Sequence, residues 1–362
     1  MPVFRRNFTA YFLNPTGYVF ICVFVLLSSI AAFMPDEFVN SNLANLAQLN
    51  RWFPLIMLVF IPAITMGIWA DEKRYATDEL LLTLPVSPAR LVLGKYFASL
   101  AIYTVSLIFS LFSNYAILEF LGNPDPGLFL STYLGYWLIG TAMLAVAMVA
   151  SFLTHQLTVA YILGAMLCAP LIALKWVDVL PVSRTTADLL QSFSIESCFE
   201  PFGRGMISSA GILYFLLIPC VMLYLCVSLL ASRYVRPKQI FACRVHQIIR
   251  LAAVSVMIVA CIGLGRIWNC AFDATAEKLS TLSPQSIALL QQSKANYPIV
   301  IEARLSPNVP PEFIQTRQDI ISILNEIARH APGSVFLDIR PTLPNTKEAW
   351  QLERQYDIKP RK

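Results

Sequence analysis

Residues Leu128–Leu153 read LFLSTYLGYWLIGTAMLAVAMVASFL, and this stretch decides the fold. It contains no Asp, Glu, Lys or Arg. A helix needs about 20 apolar residues to cross a bilayer, at about 1.5 Å per residue, and the stretch is long enough. Similar runs on either side occupy Gly17–Phe33, Trp52–Ala70, Tyr96–Leu121, Thr158–Leu174, Ile207–Ala231 and Leu251–Trp268. Trp52, Trp69, Tyr96, Trp176, Tyr234 and Trp268 lie near predicted ends, where amphipathic rings favour the headgroup layer. Pro62, Pro170 and Pro219 fall inside runs, which membrane helices tolerate when neighbours satisfy the freed carbonyl.

Composition agrees. The chain is 57% hydrophobic and 14% charged, with mean hydropathy +0.61, against about 25% charged residues in soluble domains. Up to Trp268 the charges cluster between apolar runs; beyond it they are spread as in a globular domain. The expected fold is an α-helical polytopic membrane protein of about seven transmembrane helices, followed by a small C-terminal α/β domain outside the membrane. The net charge of +5 reflects basic residues flanking apolar runs and gives no reason to expect nucleic acid. No CxxC pair occurs, Cys22, Cys168, Cys220, Cys226 and Cys261 lie in or beside apolar stretches, and His155, His246 and His330 are far apart. No metal site is expected, since its ligands must converge.

Orientation follows from Lys and Arg on alternate connections. One side collects Arg5, Arg6, Lys73, Arg74, Arg90, Lys95, Arg233, Arg236, Lys238, Arg244 and Arg250; the other short connections collect Arg51, Lys175, Arg184 and Arg204. The richer side is the cytoplasmic one. The N-terminus is then inside, and seven crossings put the C-terminal domain outside. Arg5, Arg6 and the small residues Ser28, Ser29, Ala31 and Ala32 also fit a signal peptide, but the run is long and further spans follow, so a retained helix is expected. Cys198 and Cys270 fall on the oxidising side, with no spacing rule to pair them.

Apart from Glu119 and Arg266, near outer ends, the spans hold no Asp, Glu, Lys or Arg. Ionisable groups within membranes usually mark ion or proton pathways. Their scarcity disfavours an ion-coupled carrier or a charged-ring channel and suits a permease energised from outside the membrane. Glu119 reads as an interfacial residue.

The most specific segment is Asp71–Lys95, DEKRYATDELLLTLPVSPARLVLGK. Thr77, Asp78 and Glu79 can start a turn running into Leu80, Leu81, Leu82 and Leu84, and Pro85 and Pro88 then stop it. A short amphipathic helix along the cytoplasmic face is predicted, carrying both charge signs. On physical grounds it either only connects two spans or is a docking surface for a cytoplasmic partner.

The segment resembles the signature of permease subunits of type-2 ABC transporters, in which an acidic-leucine stretch is followed by Leu-Pro-Val-Ser and then Leu-Gly-Lys. The resemblance implies a coupling helix that receives the motion of a separate ATPase. By motif position it falls on Glu72, Arg74, Thr77, Glu79, Leu81, Leu82, Pro85, Ser87, Gly94 and Lys95. One departure stands out: the family commonly has Gly-Thr before the acidic residue, and this chain has Ala76-Thr77. The resemblance covers about residues 1–235, a six-helix permease whose outer loop, Lys175–Gly205, often holds short re-entrant or surface helices. It implies a bacterial inner-membrane protein, working as a homodimer or paired permease in the lipid bilayer, with ATP and Mg bound by the partner ATPase. No phosphate-binding loop occurs in this sequence; Gly94-Lys95-Tyr96 lacks the first glycine and the hydroxyl residue. No cofactor or catalytic residue is expected in this chain.

A cytoplasmic linker and seventh span are expected over residues 236–268, and an extracytoplasmic domain over 269–362. Tyr297–Ala303 and Val335–Ile339 read as strands. Within Pro311–His330, Ile320, Ile323, Leu324 and Ile327 share a helix face, and Lys347–Tyr356 reads as a second helix. This part resembles the auxiliary protein of gliding-motility-type (Gld family) ABC systems, whose periplasmic domain follows one span and opens with a similar Asp-x-Thr…Leu-Ser stretch. Here that is Asp273-Ala274-Thr275…Leu279-Ser280, with Ala274 where leucine is more usual. Those auxiliary proteins are longer, so Lys362 reads as a truncation point or a degenerate end. Asp273 and Glu302 read as solvated acids. The leading expectation is an ATP-driven exporter permease; the alternative is a non-transporting scaffold whose outer domain binds envelope or motility components.

Overall fold

The computed structural model describes residues 2–35, 38, 44–77, 86–179, 186, 190–191, 193–231, 250, 253, 256–257, 263, 271–275, 285–286, 299–306, 314–330, 335–341, 350 and 354. It divides into two compact units, Met1–Pro35 with Ala44–Ala274, and Asp36–Leu43 with Thr275–Lys362.

The first unit is helical. It runs α1 (Pro2–Leu13), α2 (Pro15–Phe33), α3 (Ala47–Thr65), α4 (Gly67–Arg74), α5 (Pro88–Leu121), α6 (Pro126–Leu153), α7 (Leu157–Ala173), a 3₁₀ segment (Leu174–Val179), α8 (Ile195–Gly203), strand β1 (Met206–Ser208), α9 (Ser209–Ala231) and strand β2 (Ala271–Asp273). Proline opens α2, α5 and α6, where its missing N–H costs nothing and its φ is already helical. The Asp125 side chain caps α6, accepting from Gly127 N at 2.8 Å.

Five of these helices are long and apolar enough to cross a membrane, or six if α1 and α2, bent by 76°, count as one span. The protein is a multi-pass helical membrane protein. Its outward side chains are as apolar as its core: Leu93, Phe97, Ile108, Phe109 and Phe112 are all exposed along α5. A water-soluble surface does not tolerate such a stripe. Helix α6, from the opening stretch, is buried on nearly every side and packs against α3, α5, α7 and α9. Close approach needs small residues: at Gly140 a Cβ would lie 2.1 Å from the Tyr103 ring. Buried polar groups pair between helices. Asn114 Nδ2 donates to Tyr133 Oη at 2.9 Å, Ser29 donates to Asn114 Oδ1 at 2.7 Å, and Ser28 meets Ser110 at 2.8 Å. Such bonds average about 0.6 kcal/mol each in a membrane, so they fix register more than they stabilise.

Two helix starts differ from expectation. The first predicted span is preceded by a separate helix, α1, which crosses α5 instead of extending α2. The sixth predicted span opens at Ile207, but Ile207 and Ser208 belong to β1, because backbone pairing with β2 claims them before the helix starts. That pairing carries topology. Helix α9 leaves β1 at one end of the bundle and runs 23 residues away from it. Strand β2 lies beside β1, at the end of the bundle from which α9 departs. The seventh predicted span, Leu251–Trp268, lies outside the described residues apart from isolated positions, as do Arg266 and Cys270.

The second unit holds β3 (Ile299–Leu305), α10 (Ile314–His330) and β4 (Val335–Pro341), a β–α–β unit with parallel strands in the register Ile299↔Val335. Both strands and this helix match the expectation; the predicted helix Lys347–Tyr356 lies outside the described residues. The helix face differs. Ile321 is 7% exposed, whereas Ile320 and Ile323 are each 41% exposed. Adjacent isoleucines at 320 and 321 offer two overlapping apolar stripes, and the helix packs against β4 on the one holding Ile321. Glu302 is exposed and pairs with Arg304 at 3.1 Å. Asp338 accepts from Arg340, which holds its carboxyl below the usual carboxylate range. Asp273 is not the solvated acid expected: it is buried within β2.

Candidate functional site

The quoted motif begins on α4, and its arrangement starts from a helix joint. At Met66, between α3 and α4, the Ser151 hydroxyl of α6 enters the ladder. It donates to Met66 O at 2.9 Å and accepts from Trp69 N at 3.1 Å and Ala70 N at 3.3 Å. A side chain inserted into the i→i−4 ladder is a recognised cause of helix bending. Beyond the joint, Lys73 donates to Phe152 O and stands 4.4 Å over the Phe152 ring, tying α4 to the end of α6.

Glu72 gathers two cations. Lys95, one of the motif residues and almost wholly buried, donates to its carboxylate and to Ile68 O at 2.5 Å, with the ammonium 4.2 Å from the Trp69 ring centroid. Arg6, on α1, donates to the other carboxylate oxygen at 2.7 Å. A buried ammonium is tolerated only when paired and hydrogen-bonded. The pattern thus brings Glu72 and Lys95 together from 23 residues apart. Gly94 explains how α1 gets close enough: a Cβ there would lie 3.2 Å from Val3 Cβ.

Helix α4 ends at Arg74, and Ala76 follows with φ 54°. This left-handed position is where the related pattern has glycine, so the departure noted in the sequence puts an alanine where the backbone favours glycine. Arg74 is exposed, 5.8 Å from the Tyr75 ring centroid. Thr77 Oγ1 donates back to Glu72 O at 3.2 Å. Ser87 is extended and precedes α5, its carbonyl accepting from Leu91 N at 3.2 Å. Glu79, Leu81, Leu82 and Pro85 lie outside the described residues.

Sequence reasoning missed Arg6, Trp69, Lys73, Ser151 and Phe152 as parts of this site. Arg6 and Lys73 were legible only as basic flanks, and a single serine near the end of an apolar run carries no signal of its own.

At the opposite end, α8 lies in the predicted outer loop and buries Ile195, Phe199 and Phe202 at helical spacing. Ser131 of α6 donates to Phe202 O at 3.0 Å, and the Tyr136 ring is sandwiched, 3.7 Å from Phe53 and 5.4 Å from Phe199. This end is thereby packed onto the same central helix that Ser151 and Phe152 serve at the other.

Comparison with known proteins gives two matches. Residues 276–362 match a domain of unknown function, DUF7088, and residues 10–236 match the family described as ABC-2 family transporter protein. No curated protein and no solved structure matches the chain. With more than half of its length covered by the second match, the chain belongs to the ABC-2 transporter family, as a membrane-embedded permease component of an ABC transporter.

Proposed function

We propose that this chain is the permease subunit of an ATP-driven exporter and that a separate cytoplasmic ATPase docks on the Asp71–Lys95 segment. The ATPase binds ATP and Mg; this chain turns the resulting motion into movement of substrate across the bacterial inner membrane. The observation that carries the reading is the Lys95–Glu72–Arg6 cluster, in which buried Lys95 and surface Arg6 share one carboxylate, joining both flanks of the segment to α1. A displacement applied between residues 77 and 86 reaches α4 and α5 together. From α4 it passes through Lys73 and Ser151 into α6, while the interrupted ladder at Met66 lets α4 tilt against α3.

Two permease bodies, as a homodimer or a pair with another permease, would enclose the path. The basic end carrying Arg5, Arg6, Arg74 and Arg90 faces the cytoplasm on this reading. Residues 1–235 then form the permease, 236–268 the linker and extra span, and 269–362 an extracytoplasmic domain of the gliding-motility auxiliary type that meets an envelope partner.

The test is purification in mild detergent followed by reconstitution. An ATPase should co-purify, and Glu79→Lys should leave it bound while abolishing transport-linked stimulation of hydrolysis. Normal stimulation in that variant would overturn the docking role. A scaffold that does not transport would lose all function on deletion of 273–362, whereas a permease should retain stimulated hydrolysis.

A further inference from the structure

The β1–β2 ladder lies far from the Lys95–Glu72 cluster and plays no part in the coupling just described. It is short, three residues on each strand, with Met206↔Asp273, Ile207↔Phe272 and Ser208↔Ala271 opposite one another. Ala274 N extends it, donating to Gly205 O at 2.9 Å. An isolated ladder of this size is not stable in water. This one is backed by burial: Met206, Ser208 and Asp273 face inward and are buried, while Phe272 on the other face is exposed. The alternation is what a fixed register requires. The α6 start also makes room for it, since a Cβ at Gly127 would lie 1.8 Å from Ala274 O.

Strand β1 has no slack on either side. It follows α8 after the turn Arg204–Gly205, where Gly205 takes φ 84°, and runs directly into α9. We propose that the C-terminal region is anchored to the permease body by strand addition at β1, so that its start moves as one piece with the α8–α9 corner. On this view the segment matching DUF7088 is not loosely tethered at its start. It begins two residues after a backbone-paired anchor, so a shift of the corner during transport moves the point from which it starts. The anchoring stands on the ladder alone; its use in transport rests on the permease reading.

The experiment uses the full-length chain in native membranes. Ile207→Cys with Phe272→Cys places two thiols on directly opposite residues, within the separation a disulfide spans. Ser28→Cys with Ser110→Cys, at a packed helix contact, reports folding of the body. Oxidation should cross-link both pairs to a similar extent. Gly127→Val, and separately Ala274→Pro, which removes the N–H given to Gly205, should cut the first yield at least fivefold and leave the second unchanged. A first yield below a tenth of the second overturns the anchor, whether or not an ATPase is found. With an ATPase co-purified, the cross-linked protein should hydrolyse ATP within twofold of the reduced protein. A tenfold loss on cross-linking would mean that the strands part in each cycle, and would overturn movement as one piece.

Discussion

Lys95, with its side chain 1% exposed, gives its ammonium to Glu72, whose other carboxylate oxygen is held by Arg6, a residue 56% exposed. One carboxylate therefore serves a buried and a surface partner. Breaking a buried pair by removing one member costs about 3–5 kcal/mol, because the other charge is stranded. Lys95→Met and Glu72→Gln should each destabilise by that order, and the double variant by less than the sum. Thermal unfolding of the four proteins in one detergent measures the difference.

Arg6→Gln should behave otherwise. An exposed pair contributes about 0–1 kcal/mol and is screened by salt. The loss should be small at low ionic strength and vanish near 1 M salt, a condition that leaves the Lys95→Met loss in place. Equal salt sensitivity of the two variants would refute the division between buried and surface partners.

Ala76 sits in the left-handed region with φ 54°, where a Cβ costs about 1–2 kcal/mol. Ala76→Gly should stabilise the protein by about 1 kcal/mol or less, since glycine also gains freedom in the unfolded chain. Ala76→Val should destabilise it. Melting midpoints of the three proteins give the order directly.

Ser151→Ala removes the hydroxyl that serves three backbone groups at the α3–α4 joint. If Ala70 N then bonds Met66 O directly, the joint becomes an unbroken helix. The expected cost lies within about 1–3 kcal/mol. The expected functional mark is weaker coupling with the ATPase still bound, read as substrate-stimulated hydrolysis in proteoliposomes.

Gly94→Leu should push α1 off α5, because Val3 and the Phe4 backbone occupy the space. Lys95–Glu72 would persist and Arg6–Glu72 would be lost. A thiol placed at Val3 should become several-fold more reactive to a membrane-impermeant reagent in open vesicles.

Much of the membrane body was legible in the sequence. The apolar runs marked the helices from Gly17 to Ala231 within a few residues at most ends, five of them long enough alone to cross a membrane and a sixth only together with α1, since crossing length and lack of charge are local properties. The sequence also marked strands β3 and β4 and the helix between them. Three things were not legible. Helix α1 was hidden because Phe4, Phe8 and Phe12 alternate with polar residues too briefly to distinguish an interfacial helix from a basic flank. The inward stripe of α10 was misjudged because Ile320 and Ile321 are equivalent until a sheet selects one. The β1–β2 pair was invisible because each strand is three residues long and its partner is over sixty positions away.

By itself, then, the sequence determined that this protein crosses a membrane many times and carries a charged segment, Asp71–Lys95, between two spans. Hydrocarbon imposes that outcome on any chain with such runs, whatever their packing. Only the tertiary structure decided that Glu72 of that segment binds Lys95 and Arg6, and that Ser151 opens the ladder at Met66. It also decided that α6 lies at the centre of the bundle. These relationships depend on which helix faces meet, and apolar helices that are hydrophobic all round do not declare their neighbours in advance.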